Sequence, residues 1–182
     1  ADTLIGRLSD NKQIVLDELR MSADEIRALK KITVIACGTA YHAGMVAKYA
    51  IEKWAKIPVE VEIASEFRYR DPIIDAGTLV IAISQSGETM DTLMAVRHAK
   101  AAGGRVLAIC NTNSSTIPRE SDAVLYTHAG PEIAVASTKA LLTQMVAVYL
   151  IGLHLAQVNG SLSDSEVEGL YNELLELPGK IE

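Results

Sequence analysis

Short runs of β-branched and aliphatic residues recur along this chain, separated by stretches patterned for helices, and that alternation narrows the fold more than any other feature. Ile32 to Cys37, Thr78 to Ile83, Arg105 to Cys110 and Ala123 to Thr127 each read as a buried strand. Val59 to Ile63 follows Pro58 and alternates polar with apolar residues, which predicts a strand nearer a sheet edge. Between the first two runs, Ala43, Val46, Ala47, Ala50, Ile51 and Trp54 fall at helical spacing within a helix from about 40 to 56, so they face a core. Strands joined through helices imply right-handed crossovers. The expected fold is therefore α/β and doubly wound, with a parallel sheet of about five strands flanked by helices. Aromatics make up only 4% of the chain against 49% hydrophobic residues, as suits a core of Ala, Val, Ile and Leu beneath covering helices.

The remaining segments are less regular. Residues 1–31 read as a helical, peripheral lead-in, with Ser22 and Glu25 in a capping-box pattern. Arg68, Arg70 and Asp71 mark a polar loop, and Asn111 to Thr116 another. Gly130-Pro131 turns the chain before a long apolar helix that starts near 135–139. Ser163 and Glu166 cap a final helix, which Pro178 closes. With 182 residues the chain suits one well-buried domain, placed at 32–160, with a C-terminal helix over 161–182.

Charge and composition exclude several classes of function. A net charge of −6 and the lack of any Lys/Arg-rich run leave no basic face for nucleic acid. Ala140 to Val158 has no Asp, Glu, Lys or Arg and is long enough to span a membrane, yet Thr143, Gln144, Gly152, His154 and Gln157 interrupt it and basic flanks are missing. We read it as a buried helix covered by the sheet and by a partner subunit, and expect a homodimer and no membrane. Cys37 and Cys110 each end a predicted strand, outside any C-x-x-C or His-rich pattern, and read as reduced packing residues. The polar, charged opening predicts a cytoplasmic protein, and a start at Ala1 within a polar segment is expected of a piece of a longer polypeptide.

The chemistry concentrates at S-Q-S-G-E-T, residues 84–89, where the third strand stops and a helical pattern begins at once. A strand running into a helix start exposes unpaired backbone N–H groups at the positive end of the helix dipole. Ser84, Gln85, Ser86 and Thr89 add three hydroxyls and an amide, more than a cap needs. No Lys or Arg lies between Thr78 and Met94, so a phosphate here is held by dipoles and hydroxyl donors. In open α/β sheets ligands sit beyond the carboxyl ends of the strands where strand order reverses. Three polar segments are expected to converge there into one pocket: Gly38-Thr39, Ser84 to Thr89, and Ala134 to Lys139.

Four motifs in order, A-C-G-T at 36–39, E-F-R-Y-R at 66–70, S-Q-S-G-E-T at 84–89 and E-I-A-V-A-S-T-K at 132–139, resemble the first sugar isomerase (SIS) domain of the glutamine:fructose-6-phosphate aminotransferase (glucosamine-6-phosphate synthase) family. The resemblance runs from about Ile32 to Gln157. It implies that Ser84, Gln85, Ser86 and Thr89 bind the phosphate of fructose 6-phosphate or glucosamine 6-phosphate, that Thr39 closes over it, and that Val135 and Ser137 contact the sugar. The family has a serine where this chain has Ala40, which leaves only a backbone N–H there and implies somewhat lower phosphate affinity. It also implies that the glutaminase domain, with its cysteine nucleophile, and a second SIS domain lie elsewhere in the parent chain. The acid/base glutamate, histidine and lysines would lie in that second domain, a neighbouring subunit and the C-terminal tail. This piece is then expected to bind sugar phosphate and to catalyse nothing alone, with no cofactor and no metal.

Within the chain, Glu88, Glu132 and His128 lie near the expected pocket, but none is assigned catalysis: a glutamate at a helix start complements the dipole, and a lone histidine after a strand is a common surface residue. His42, His98 and His154 fall on predicted helices without partners at metal spacing, and Lys139 is given a structural role. The competing readings are a stand-alone SIS-domain phosphosugar isomerase acting as an oligomer, and a sugar-phosphate-sensing regulatory module. The second lacks a helix-turn-helix pattern. A dinucleotide-binding domain ranks last, because no G-x-G-x-x-G follows any strand.

Overall fold

The computed structural model describes residues 2–134 and 137–181. Five parallel strands, β1 (Lys31–Ala36), β2 (Val59–Ile63), β3 (Thr78–Ser84), β4 (Arg105–Cys110) and β5 (Ala123–Tyr126), pair in the order β2-β1-β3-β4-β5. This is the doubly wound α/β sheet expected, with β2 at an edge. Side chains alternate between two apolar layers. Ile32, Val34, Leu79, Ile81, Ile83, Leu107 and Ile109 face one, and Ile35, Val80, Ala82, Val106, Ala108 and Cys110 face the other. A sheet buried on both faces has no room for polar alternation, which is why its inner strands read as unbroken apolar runs.

On the first face, α2 (Thr39–Ala55) lies along α6 (Lys139–Asn159), with α7 (Asp164–Leu175) outside them. The other face carries α3 (Ala64–Arg70), α4 (Met90–Ala101) and α5 (Thr116–Glu120). Gly152 lets α2 and α6 approach: a Cβ there would lie 3.2 Å from the Trp54 ring. α6 is long and apolar enough to cross a membrane by length and composition, and half of it is buried inside the fold.

Three local expectations need correction. Helix over residues 2–30 is limited to a 3-10 turn (Asp17–Leu19) and the short α1 (Ala23–Arg27), and instead of lying peripherally the segment buries Leu4, Ile14, Leu16 and Leu19 in the first core layer. The arm is ordered by bonds far away in sequence: Gln157 accepts the Ile14 N–H at 2.8 Å and donates to the Lys12 carbonyl at 2.9 Å, while His154 Nδ1 lies 3.0 Å from the Ile14 carbonyl. The polar stretch around Arg68 and Arg70 is helical, because Ala64 and Phe67 recur at helical spacing and bury beneath it. Pro178 does not close α7, which ends before Glu176. It stands instead in the first turn of α8 (Leu177–Ile181), where a missing N–H costs nothing. Both predicted capping boxes, Ser22 with Glu25 and Ser163 with Glu166, are formed.

Candidate functional site

The strand order reverses between β1 and β3: β1 leads through α2 to β2 on one side, and β3 through α4 to β4 on the other. The starts of α2 and α4 thus meet at the carboxyl edge of the sheet, the place an open α/β fold reserves for a ligand. A cleft of about 450 Å³ opens there. Its walls include Thr39 and Ala40 from α2, Ser84, Gln85, Ser86 and Thr89 from the β3–α4 turn, and Ser137 ahead of α6. Seven of the eight residues singled out from sequence are therefore neighbours around one cavity; the eighth, Val135, lies outside the described residues.

The turn pairs two of its own backbone N–H groups with its serine oxygens, fewer free donors than the sequence implied. Ser84, buried at the end of β3, accepts the Gly87 N–H at 3.1 Å and lies 3.3 Å from the Thr89 hydroxyl. Ser86 accepts the Glu88 N–H at 3.2 Å. Thr89 occupies the N-cap position of α4 yet makes no capping bond, and Gly38 at the N-cap of α2 has no side chain to offer one. Two helix N-termini thus reach the cleft without a side-chain cap, and no Lys or Arg lines it among the described residues. Gly87 is indispensable to this geometry. Its φ is +69°, and a Cβ there would sit 1.9 Å from Ser115 Oγ.

Both glutamates near the cleft serve as helix caps. The Glu88 carboxylate accepts the Thr116 N–H at 2.7 Å at the start of α5, and its hydrogen bonds from Thr116 hold its pKa below the usual carboxylate range. Glu132 lines the cleft but accepts the Ala140 and Thr138 N–H groups, each at 3.1 Å, which likewise lower its pKa. A carboxylate held low is a weak general base at neutral pH. His128 is exposed and Lys139 lines a separate apolar groove, so neither borders the cleft.

Sequence reasoning missed three contributors. Cys37, read as packing, lines the cleft, with the Thr92 hydroxyl 3.8 Å from its sulfur. Thr92 itself stands one turn beyond Thr89 on α4 and is fully buried. Gln144, which sits on the buried face of α6 with Ala140 and Val148, also reaches the wall. Its only sequence signal is one amide at a helical position otherwise filled by apolar residues.

A family model described as the SIS domain matches residues 25–153. The glutamine–fructose-6-phosphate aminotransferase (isomerizing) of Streptomyces coelicolor is 63% identical over 182 residues, 100% of this chain and 30% of that protein. Its namesake in Mycobacterium tuberculosis is 64% identical over 178 residues, 98% of this chain and 28% of that protein. Among solved structures, the C-terminal domain of glucosamine-fructose-6-phosphate aminotransferase from Francisella tularensis superposes with a TM-score of 0.88 at 45% identity, covering 96% of this chain and 49% of that one. The Vibrio vulnificus NanR protein complexed with ManNAc-6P, at 20% identity and TM-score 0.64, covers 100% of this chain and 67% of that one, and shares the fold alone. The chain spans roughly 30% of the length of these aminotransferases.

Proposed function

Since the chain belongs to the SIS-domain family, we propose that its cleft binds a phosphorylated hexose, fructose 6-phosphate or glucosamine 6-phosphate, as the sugar-phosphate unit of an isomerizing glutamine:fructose-6-phosphate aminotransferase. The observation that carries the reading is the meeting of two helix N-termini, both without side-chain caps, at the hydroxyl-rich Ser84–Thr89 turn. The phosphate occupies that turn. The sugar body extends toward Ser137, away from the starts of α2 and α4 and beside Glu132, where a carboxylate disfavours a second anion. Thr39 and the Ala40 N–H close the phosphate from the α2 side, and Val135 contacts the sugar as its motif suggests.

On this reading the chain supplies binding and orientation, while proton transfer comes from a second SIS domain and ammonia from a glutaminase domain. The unit spans 32–160, with the N-terminal arm packed into its core and 161–182 leading to that second domain. Identity above 60% to two such aminotransferases supports this over a stand-alone isomerase or a regulatory sensor. Pairing with a second copy belongs to the same proposal, supported by the apolar groove along Leu142, Met145, Val146 and Tyr149 of α6. So does a cytoplasmic setting, supported by two unpaired cysteines.

Calorimetric titration with glucosamine 6-phosphate tests the proposal, with glucosamine and inorganic phosphate as controls and Ser86→Ala as the variant. Binding that requires the phosphate and weakens in the variant is expected. Equal affinity of Ser86→Ala, or binding of glucosamine as tight as its phosphate, would refute it.

A further inference from the structure

Five polar or small residues interrupt the apolar run of α6, and four of them have work inside the fold. Gly152 admits the Trp54 ring. His154 and Gln157 hold the N-terminal arm, and the Thr143 hydroxyl donates to the Ala140 carbonyl at 2.9 Å. Gln144 is the exception. It is 1% exposed and shares a helix face with Ala140, Val148 and Ile151, yet its Oε1 is buried without a hydrogen-bond partner among the described residues.

A buried acceptor with no donor is destabilising, and native folds retain few of them. This one borders the cleft, and so does the Ser137 hydroxyl, which is likewise buried and unpartnered among the described residues. Neither belongs to the Ser84–Thr89 turn. With phosphate in the turn, the two orphans are cleft-lining polar groups left for the sugar body.

We propose that Gln144 is a sugar-recognition residue, its carboxamide oxygen accepting a hydrogen bond from a hydroxyl or ammonium group on the body of the phosphosugar. This rests on the sugar-phosphate reading of the cleft and adds to it a group that reads the sugar. A site that buries an acceptor discriminates strongly against ligands lacking the matching donor, because the acceptor then stays unpaired. Inorganic phosphate, which needs only the turn, is indifferent to Gln144.

The test is Gln144→Met in the 182-residue chain, titrated with glucosamine 6-phosphate, fructose 6-phosphate and inorganic phosphate, with ligand-free thermal unfolding alongside. Gln144→Leu, of a different shape, guards against a packing effect. Expected for both variants are a tenfold or greater loss of affinity for a sugar phosphate, inorganic phosphate affinity within twofold of the original, and a ligand-free Tm equal or higher, since the orphan acceptor is gone. Unchanged sugar-phosphate affinity overturns the proposal and assigns Gln144 to packing. A parallel loss for inorganic phosphate overturns it too, by showing general damage to the cleft. If the unmodified chain binds none of the three, the sugar-phosphate reading itself fails and Gln144 falls with it; if it binds them and only the Gln144 variants behave as the parent, that reading stands and this one does not.

Discussion

Glu132 and Ala140, eight residues apart, are joined by a 3.1 Å hydrogen bond from the Ala140 backbone N–H to the Glu132 carboxylate. The start of α6, unlike those of α2 and α4, is therefore capped, by a residue outside the helix. A negative charge there complements the helix dipole as well as the orphan donors.

Glu132→Gln should lower the Tm at neutral pH, by about 2 °C. The Ala140 and Thr138 N–H groups depress the folded-state pKa of Glu132 below the value of about 4.3 in an unfolded chain. Its contribution is complete above that unfolded value and is lost as pH falls through the folded one. Thermal melts of both proteins should show a constant gap from pH 6 to 8 that narrows as pH falls below about 4.3. A gap that stays the same size throughout acidification would mean that the charge plays no part.

What the sequence made legible is what neighbours decide. The β3 run, the abrupt polar turn at Ser84 and the helical pattern after Thr89 are local signals, and they place the cleft at the topological switch point. The two capping boxes were readable for the same reason. What stayed hidden depends on distant partners. The N-terminal arm takes its shape from His154 and Gln157, more than 130 residues away, and its composition alone resembles a surface helix. Helix α3 was masked by Arg68 and Arg70, whose charges outweighed the Ala64–Phe67 spacing. Gln144 reads as one interruption in an apolar helix, and only the position of α6 beside the cleft gives it another meaning.

Gly87→Ala should unfold the turn. It forces a side chain into left-handed backbone, which costs about 1–2 kcal/mol, and drives a methyl group to 1.9 Å from Ser115 Oγ and 2.8 Å from Ser115 Cβ. Denaturant unfolding should show a loss of at least about 2 kcal/mol. Adding Ser115→Gly removes both contacts and should recover part of the loss while leaving the backbone cost. If the double variant is no more stable than Gly87→Ala, the steric account is wrong.

His154 ties stability to pH through burial. Desolvation lowers its pKa against the weaker upward pulls of the Ile14 carbonyl and Asp17, so the folded protein resists protonation where the unfolded chain accepts it. Stability should be flat above about pH 6.5, the unfolded value, and fall as pH drops from there toward the folded value, by at most about 1.4 kcal/mol per pH unit. His154→Leu leaves the Ile14 carbonyl unpaired and should be less stable at pH 7.5 by about 1–3 kcal/mol. Its stability should nonetheless lose the slope between pH 6.5 and 5. Parallel profiles for the two proteins would exclude His154 as the source.

The two cysteines should separate by reactivity. Cys110 is fully buried at the end of β4, and burial pushes its thiol up to about 12, so almost no thiolate forms at neutral pH. Cys37 is partly exposed and lines the cleft. A maleimide at pH 7.5 should therefore label Cys37 alone in the folded chain, and both residues after denaturation, as peptide mass mapping would read. Because Cys37 shares its wall with Thr39 and Ala40, saturating glucosamine 6-phosphate should slow its labelling several-fold, and glucosamine should not. Protection of Cys37 by the phosphorylated sugar alone ties occupancy to the α2 side of the cleft. Labelling that proceeds at one rate with and without it means that the ligand, wherever it binds, leaves that side open.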